Sequence, residues 1–166
     1  MAIVRRSHGR ALVGVAAAAA VLAAGCDLGR RAHVVTVAPE GQHTVDVAAG
    51  DVDGDGAVDL VVTTLGGYAV ARNDGDGAFT ATLTSTPDTP GGRLALGDVD
   101  GDGALDLVHG GPAASGHPHV AVRAGDGDGG FAASAVLLHA PRGIATSPIL
   151  GDVDGDGDPD VIAGTA

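Results

Sequence analysis

One heptapeptide, GDVDGDG, occurs three times in this chain, at 50–56, 97–103 and 151–157. Its first aspartates are Asp51, Asp98 and Asp152. A period near 50 points to a repeat architecture before any single-domain enzyme fold. Each copy extends further: GDVDGDGAVDLV at 50–61, GDVDGDGALDLV at 97–108 and GDVDGDGDPDVI at 151–162. Of the chain's 21 acidic residues, 12 stand at matching positions of these three stretches. Carboxylates so crowded repel one another, so the loops call for something positive among them.

Between the acidic stretches the sequence reads as short strands. TVDVAAG leads into the first loop, DLVVTT leaves it, a Gly66-Gly67 turn leads to YAVAR, and NDGDG turns the chain into AFTATLT. The second unit repeats the plan with RLALG, LDLVHG, HVAVR, AGDGDGG and FAASAVLL. β-Branched runs bounded by Gly, Asp and Asn favour hairpins over helices. Consecutive apolar residues, as in DLVV and VLL, are expected where both faces of a strand are partly covered.

Four-stranded units at this period predict an all-β fold, an incomplete or open propeller-like stack of blades spanning 43–90, 91–143 and a partial unit at 144–166. Val34 to Ala38 offers one more strand ahead of the first unit. Fewer than three full blades do not close a ring. An open stack, assembly with other copies of the chain, or a shortened remnant of a longer protein would each account for the count. Tyr68, Phe79 and Phe131 are the only aromatics, so the core is mostly Val, Leu and Ala.

Numbered from its first aspartate, the second loop carries Asp98, Asp100, Asp102 and Asp106 at positions 1, 3, 5 and 9. The carbonyl of Ala104 stands at position 7. Gly101 and Gly103 allow the positive-φ bends that fold alternate side chains onto one centre. The first loop supplies Asp51, Asp53, Asp55, Asp59 and the Ala57 carbonyl, and the third supplies Asp152, Asp154, Asp156, Asp160 and the Asp158 carbonyl. An all-oxygen cage suits a hard cation, and about three calcium ions are expected, with affinities of roughly 10⁻⁴ to 10⁻³ M. Magnesium demands a smaller octahedron, and zinc wants the imidazole or thiolate that these loops lack. An EF-hand is excluded: position 12 is Val62, His109 or Ala163, not glutamate, and the flanks read as strands.

The pattern D-x-D-x-D-G-x-x-D-L, met at 51–60 and 98–107 and with Val161 for leucine in the third copy, resembles the calcium loop of FG-GAP and VCBS-type repeats. NDGDGAF at 73–79 and GDGDGGF at 125–131 resemble the second hairpin of that family with its packing phenylalanine. The resemblance covers roughly 45–165. It implies bladed β-structure, structural calcium and roles in adhesion or ligand binding. The departure is the copy number, since closed propellers of the family use about seven blades.

Positions 1–25 have a different character. Arg5, Arg6 and Arg10 precede an apolar run at 11–25 that leads directly into Cys26. Basic, then apolar, then small is the order of a secretory signal peptide, and the run falls short of the roughly 20 residues needed to span a bilayer. LAAGC at 22–26 resembles the lipobox of bacterial lipoproteins, in which the cysteine is acylated. This implies a signal peptide at 1–25, a mature segment at 26–42 and the repeat domain at 43–166, exported and lipid-anchored to a bacterial membrane through Cys26. The alternatives are plain secretion and an uncut apolar anchor. Cys26 has no second cysteine with which to form an internal disulfide.

Counted from Cys26, 21 acidic residues face six arginines, a formal charge of −15, and the chain has no lysine. That balance argues against nucleic acid as a partner. Three calcium ions would reduce it to −9. No serine stands in a G-x-S-x-G setting. His117 and His119 in GHPH read as an incidental surface-loop pair. Asp74, Asp76, Asp126 and Asp128 in the second hairpins read as exposed turn formers. The sequence therefore predicts a non-catalytic, calcium-stabilised scaffold at the cell surface that presents loops to a protein or glycan. Two alternatives stand beside it. One is an extracellular hydrolase, or its accessory domain, acting on polysaccharide or phosphate esters. The other is a truncated repeat protein with little independent function.

Overall fold

A computed structural model of the chain describes residues 20–22, 34–36, 43–85, 92–112, 118–133, 136–139 and 145–165. These residues contain twelve strands and no helix. Two short strands, β1 (Ala20–Leu22) and β2 (Val34–Thr36), pair antiparallel with each other. The strand expected near 34–38 is therefore present at Val34–Thr36, but it pairs with the apolar run rather than with a blade. The rest of the expected leader, Cys26 included, lies outside the described residues. None of the described residues forms a helix long and apolar enough to cross a membrane.

The repeat follows as two four-stranded antiparallel meanders and a hairpin. The first blade is β3 (Thr44–Gly50), β4 (Asp59–Thr64), β5 (Gly67–Asn73) and β6 (Phe79–Ser85), hydrogen-bonded in that order. The second is β7 (Leu94–Gly97), β8 (Asp106–Pro112), β9 (Pro118–Arg123) and β10 (Val136–His139). The third unit is the pair β11 (Ala145–Gly151) and β12 (Asp160–Thr165). One register recurs in all three: Gly50 pairs with Asp59, Gly97 with Asp106 and Gly151 with Asp160. Each acidic loop thus closes the hairpin between the first and second strands of its unit. The first strands, β3, β7 and β11, lie side by side from one unit to the next, as in an open, propeller-like stack.

Blades pack face on face. Val52, Val61, Tyr68 and Val70 of the first blade form one cluster with Leu94, Leu107 and Phe131 of the second. Tyr68 and Phe131 meet edge to face with ring centroids 5.6 Å apart, and the Tyr68 hydroxyl donates to the Phe131 carbonyl at 3.4 Å. Such ring pairs add about 0.5–1.5 kcal/mol beyond the area they bury. Val108 and Val120 of the second blade pack with Leu150 and Val161 of the third unit. Polar bonds fix the register between the first two blades. The Thr63 hydroxyl donates to the Gly92 carbonyl at 2.7 Å, and the Leu94 amide donates to Asp46 Oδ2 at 3.1 Å. Hydrogen-bonded to strands on both edges, β4 is buried along its whole length, so both of its faces are covered and DLVVTT shows no alternation.

Two expectations for the second blade need correction. FAAS does not begin a long fourth strand: Phe131 makes a single bridge to Gly125, and β10 starts only at Val136. The Arg123 guanidinium accounts for the gap, because its Nη1 donates to the carbonyls of Ala132 and Ala133 and removes them from the ladder. Val136 and Leu138 are exposed on this outermost strand, not covered on both faces. Nor is the histidine pair a surface feature. His117 lies outside the described residues, whereas His119 is buried on β9 and meets the buried His109 of β8 edge to face at 6.4 Å.

His109 Nε2 is buried without a hydrogen-bond partner among the described residues. Burial, then the positive charge of Arg123, then His119 push its pKa from 6.5 down to about 4. As pH falls through 6.5 the unfolded chain takes up this proton and the folded chain does not. The stability contribution of a neutral His109 is present above pH 6.5 and is lost progressively towards pH 4. The loss amounts to about 3 kcal/mol. His109→Leu removes it, so the stability of the variant relative to the wild type rises by that amount between pH 7 and pH 4, measured by urea unfolding at each pH. A second prediction concerns Gly125, where a Cβ would collide with the backbone carbonyl of Leu105. Gly125→Ala lowers the unfolding free energy by about 1–3 kcal/mol, as overpacking against rigid backbone does. The same assay checks it.

Candidate metal centre

In every unit the loop is shaped by its own aspartates. At position 1, Asp98 accepts the amides of Gly101 at 2.8 Å, Asp102 at 3.1 Å and Gly103 at 2.9 Å. Asp152 accepts Gly155 at 2.6 Å and Gly157 at 3.0 Å, and Asp51 accepts Gly56 at 2.9 Å. The glycines that present these amides have positive φ, 77° at Gly101 and 92° at Gly103, a region open to glycine at little cost. The expected bends are therefore where the spacing put them.

The side chains at positions 1, 3 and 9 converge. Asp51, Asp53 and Asp59 form one group, Asp98, Asp100 and Asp106 a second, and Asp152, Asp154 and Asp160 a third. Within each, one carboxylate oxygen per residue lies within 4.8 Å of the others. Among the described residues these are the acidic groups close enough to hold a metal ion. The position-5 aspartates stand apart from them. Asp55 Oδ1 accepts the Ala57 amide at 2.7 Å, Asp102 Oδ1 that of Ala104 at 2.8 Å and Asp156 Oδ1 that of Asp158 at 3.0 Å. They close small turns that aim the loop around position 7.

The position-9 carboxylate has a second job that the spacing alone did not show. Asp59 Oδ2 accepts the Val52 amide at 2.9 Å, and its Oδ1 accepts the Asn73 amide at 2.7 Å. Asp106 does the same with Val99 and Gly125, both at 2.8 Å. In the third unit Asp160 accepts Val153 at 2.9 Å. A buried side chain thus ties the loop to the far end of the third strand. Arg72 is another residue that the sequence did not flag. Its Nη1 lies 3.9 Å from Asp53 Oδ2 and donates to the Asp128 carbonyl at 3.4 Å, so it links the first loop to the second hairpin of the next blade. The Gly129 amide donates to the Val52 carbonyl across the same contact.

An oxygen-only donor set fits a hard divalent cation. One atom makes the case sharper. Asp51 Oδ1 is buried and has no hydrogen-bond partner among the described residues, an arrangement that costs free energy unless a cation supplies the missing positive charge. Asp53 is held above the usual carboxylate pKa, first by desolvation and then by the charge of Asp59. The Asp59 contribution is the repulsion of gathered carboxylates, which Arg72 offsets in part. The second hairpins differ. Asp126 Oδ1 accepts the amides of Asp128 at 2.9 Å and Gly130 at 2.8 Å, and Asp74 Oδ1 accepts Asp76 and Ala78. These bonds hold both carboxyls below the usual range, with Asp74 helped first by its contact with the Asp76 side chain. Here backbone amides satisfy the charge, as turn formers require.

A model of the FG-GAP-like repeat matches residues 51–109 and again 113–163. The chain belongs to the FG-GAP-like repeat family. The two matches together take in all three acidic loops. No curated protein and no solved structure matches the chain. Within this FG-GAP-like repeat the three loop aspartates of each unit are the candidate ligands, and position 9 is also the brace of the blade.

The two roles are separable. Asp106→Asn cannot accept both amides as the carboxylate does, so in EDTA it lowers the unfolding free energy by about 1–3 kcal/mol. Asp100→Asn keeps an oxygen for the Asp102 amide and leaves stability in EDTA within about 0.5 kcal/mol of the wild type. Chemical denaturation of the two variants side by side checks the contrast.

Proposed function

We propose that this protein is a non-catalytic FG-GAP-like scaffold whose three loops bind calcium outside the cell, and whose blades present loops to a protein or glycan partner. The observation that carries the reading is the thrice-repeated convergence of three carboxylates, and in the first loop Asp51 has a buried oxygen without a donor among the described residues. Asp51, Asp53 and Asp59 would hold the first ion, Asp98, Asp100 and Asp106 the second, and Asp152, Asp154 and Asp160 the third. The position-5 aspartates Asp55, Asp102 and Asp156 and the carbonyls of Ala57, Ala104 and Asp158 are proposed to complete the oxygen shell. The ion's contribution is electrostatic: it joins the end of one strand to the start of the next and neutralises carboxylates that otherwise repel.

Extracellular calcium is millimolar, matching the affinity expected of such modules, so the ion acts as a permanent structural part rather than a signal. The export reading rests on the basic and apolar order of positions 1–25, and anchoring through Cys26 rests on LAAGC at 22–26. A mature charge of −15 supports a partner other than nucleic acid. The non-enzymatic assignment accords with the general character of the family.

Calcium titration followed by thermal unfolding tests the central claim. Calcium at ten times the dissociation constant stabilises by about 1.4 kcal/mol per loop, so the unfolding temperature rises by several degrees or more. Magnesium at the same concentration gives a much smaller shift, and Asp98→Asn with Asp100→Asn removes the share of the second loop. An unfolding temperature unchanged at roughly 10 mM calcium, well above the affinity range of such modules, refutes the proposal.

A further inference from the structure

The first acidic loop is held against the second hairpin of the next blade, and one charged side chain stands where the two meet. The Gly129 amide donates to the Val52 carbonyl at 3.0 Å. Arg72, on β5, reaches across the same contact. Its Nη1 lies 3.9 Å from Asp53 Oδ2 and donates to the Asp128 carbonyl at 3.4 Å. Glycine at position 129 leaves room for the arginine stem, because a Cβ there would lie 2.8 Å from Arg72 Cδ and 3.4 Å from Asp53 Cβ. Gly129 also has a φ of 86°, which glycine adopts at little cost. The guanidinium is therefore placed by the backbone of the next blade as well as by its own carboxylate.

The two blades differ at this position. Asn73 and Gly125 each give an amide to a position-9 carboxylate, at Asp59 Oδ1 and Asp106 Oδ1. The residues just ahead of them therefore correspond, and these are Arg72 in the first blade and Ala124 in the second. Two features of the first loop then pull in opposite directions. Asp51 Oδ1 is buried without a hydrogen-bond partner among the described residues, which calls for a cation. Arg72 already sets one positive charge beside a candidate ligand. Its side chain is half exposed, and an ion pair of this kind adds little to stability by itself. Its effect on a second cation is different in kind. A divalent ion drawn to Asp53 meets a like charge at a separation of the order of the Debye length, about 8 Å at physiological salt. Repulsion at that range corresponds to about a three- to tenfold change in affinity. The same charge reaches the second hairpin: Asp126 is held low first by the Gly130 amide and then by that of Asp128, and Arg72 acts in the same direction.

We infer that Arg72 is the resident counter-charge of the first loop: it lowers that loop's affinity for a divalent cation and supplies part of the ion's neutralising role when the ion is absent. The inference rests on the reading of the loops as calcium sites. Its two halves are one linkage, since a charge that favours the empty loop over the filled one weakens filling by the same factor. Arg72 is thus a tuning residue and not a ligand. Because its stem passes Gly129 and its guanidinium bonds the Asp128 carbonyl, the balance between arginine and cation is felt at the contact between the blades. The second loop, with Ala124 at the matching position, lacks this adjustment.

Calcium titration of the isotope-labelled full chain carrying Cys26→Ser, followed by NMR at the amides of Gly56 and Gly103, reads the first and second loops separately. Arg72→Gln removes the charge and keeps most of the stem. It should raise the affinity read at Gly56 about three- to tenfold and leave that read at Gly103 unchanged. Arg72→Lys keeps the charge and should stay near the wild type. The gain should shrink in about 1 M potassium chloride, where the Debye length is about 3 Å. An affinity at Gly56 that Arg72→Gln leaves unchanged or lowers, with calcium still bound, overturns the inference alone. So does an equal gain at Gly103, a gain that salt does not reduce, or an Arg72→Lys variant that matches Arg72→Gln. No calcium response at either glycine overturns the calcium reading and the inference with it, so the two failures are distinguished.

Discussion

Everything in this fold hangs on the carboxylate at position 9 of the acidic loop. Asp59 and Asp106 are buried, and each accepts two backbone amides, one from inside its loop and one from beside the end of the third strand. A neutral side chain would satisfy one of those donors. The carboxylate satisfies both and still offers lone pairs to a cation, so loop shape, blade register and charge are held by one residue. Removing water from such a group is costly, and the amide bonds offset that cost in the absence of metal. This explains how the loop is defined by the polypeptide while Asp51 keeps a buried oxygen without a hydrogen-bond partner among the described residues.

The consequence for packing runs outward from the loop. Pinned at both ends, the loop projects its position-2 valine away from its own sheet, and Val52 and Val99 become the first residues to touch the next unit. The glycine ahead of the loop leaves space for a leucine of that neighbour. A metal-binding motif and an interface motif are therefore the same short stretch of chain. Strengthening one should tighten the other, which is why a cation in these loops would act on the stack and not just on a turn.

Much of this was legible in the sequence, because both signals are periodic and local. The spacing of aspartates and glycines located the loops and their bends, and of the four carboxylates expected to converge in each, those at positions 1, 3 and 9 come together while position 5 stands apart. The β-branched runs located the blade strands nearly to their ends, β10 excepted. What local pattern did not show was long-range satisfaction of polar groups. Arg123 reads as the end of a strand, yet it draws off two carbonyls and shortens β10. His119 reads as part of a loop beside a proline, yet pairing of β8 with β9 brings it against His109 inside the blade contact. Arg72 stands two strands beyond Asp53 in the chain, and its second partner, Asp128, is in another blade. Such contacts depend on which face of a strand meets which neighbour, and a one-residue difference in register exchanges the faces.

That same register argument distinguishes the second blade from the first. The first blade turns Tyr68 and Val70 to the contact with its neighbour, and the second blade offers Leu107 and Phe131 from the other side, together with His109, His119 and Arg123. One contact therefore holds a hydrophobic half and a basic, buried half. The apolar half is indifferent to pH. The basic half is stable only while His109 stays neutral, because burial and the positive charge of Arg123 both oppose its protonation. Acid would thus act on this contact by charging the buried imidazole between the blades. The stack is therefore best held above pH 6.5, where the histidine is neutral in folded and unfolded chain alike.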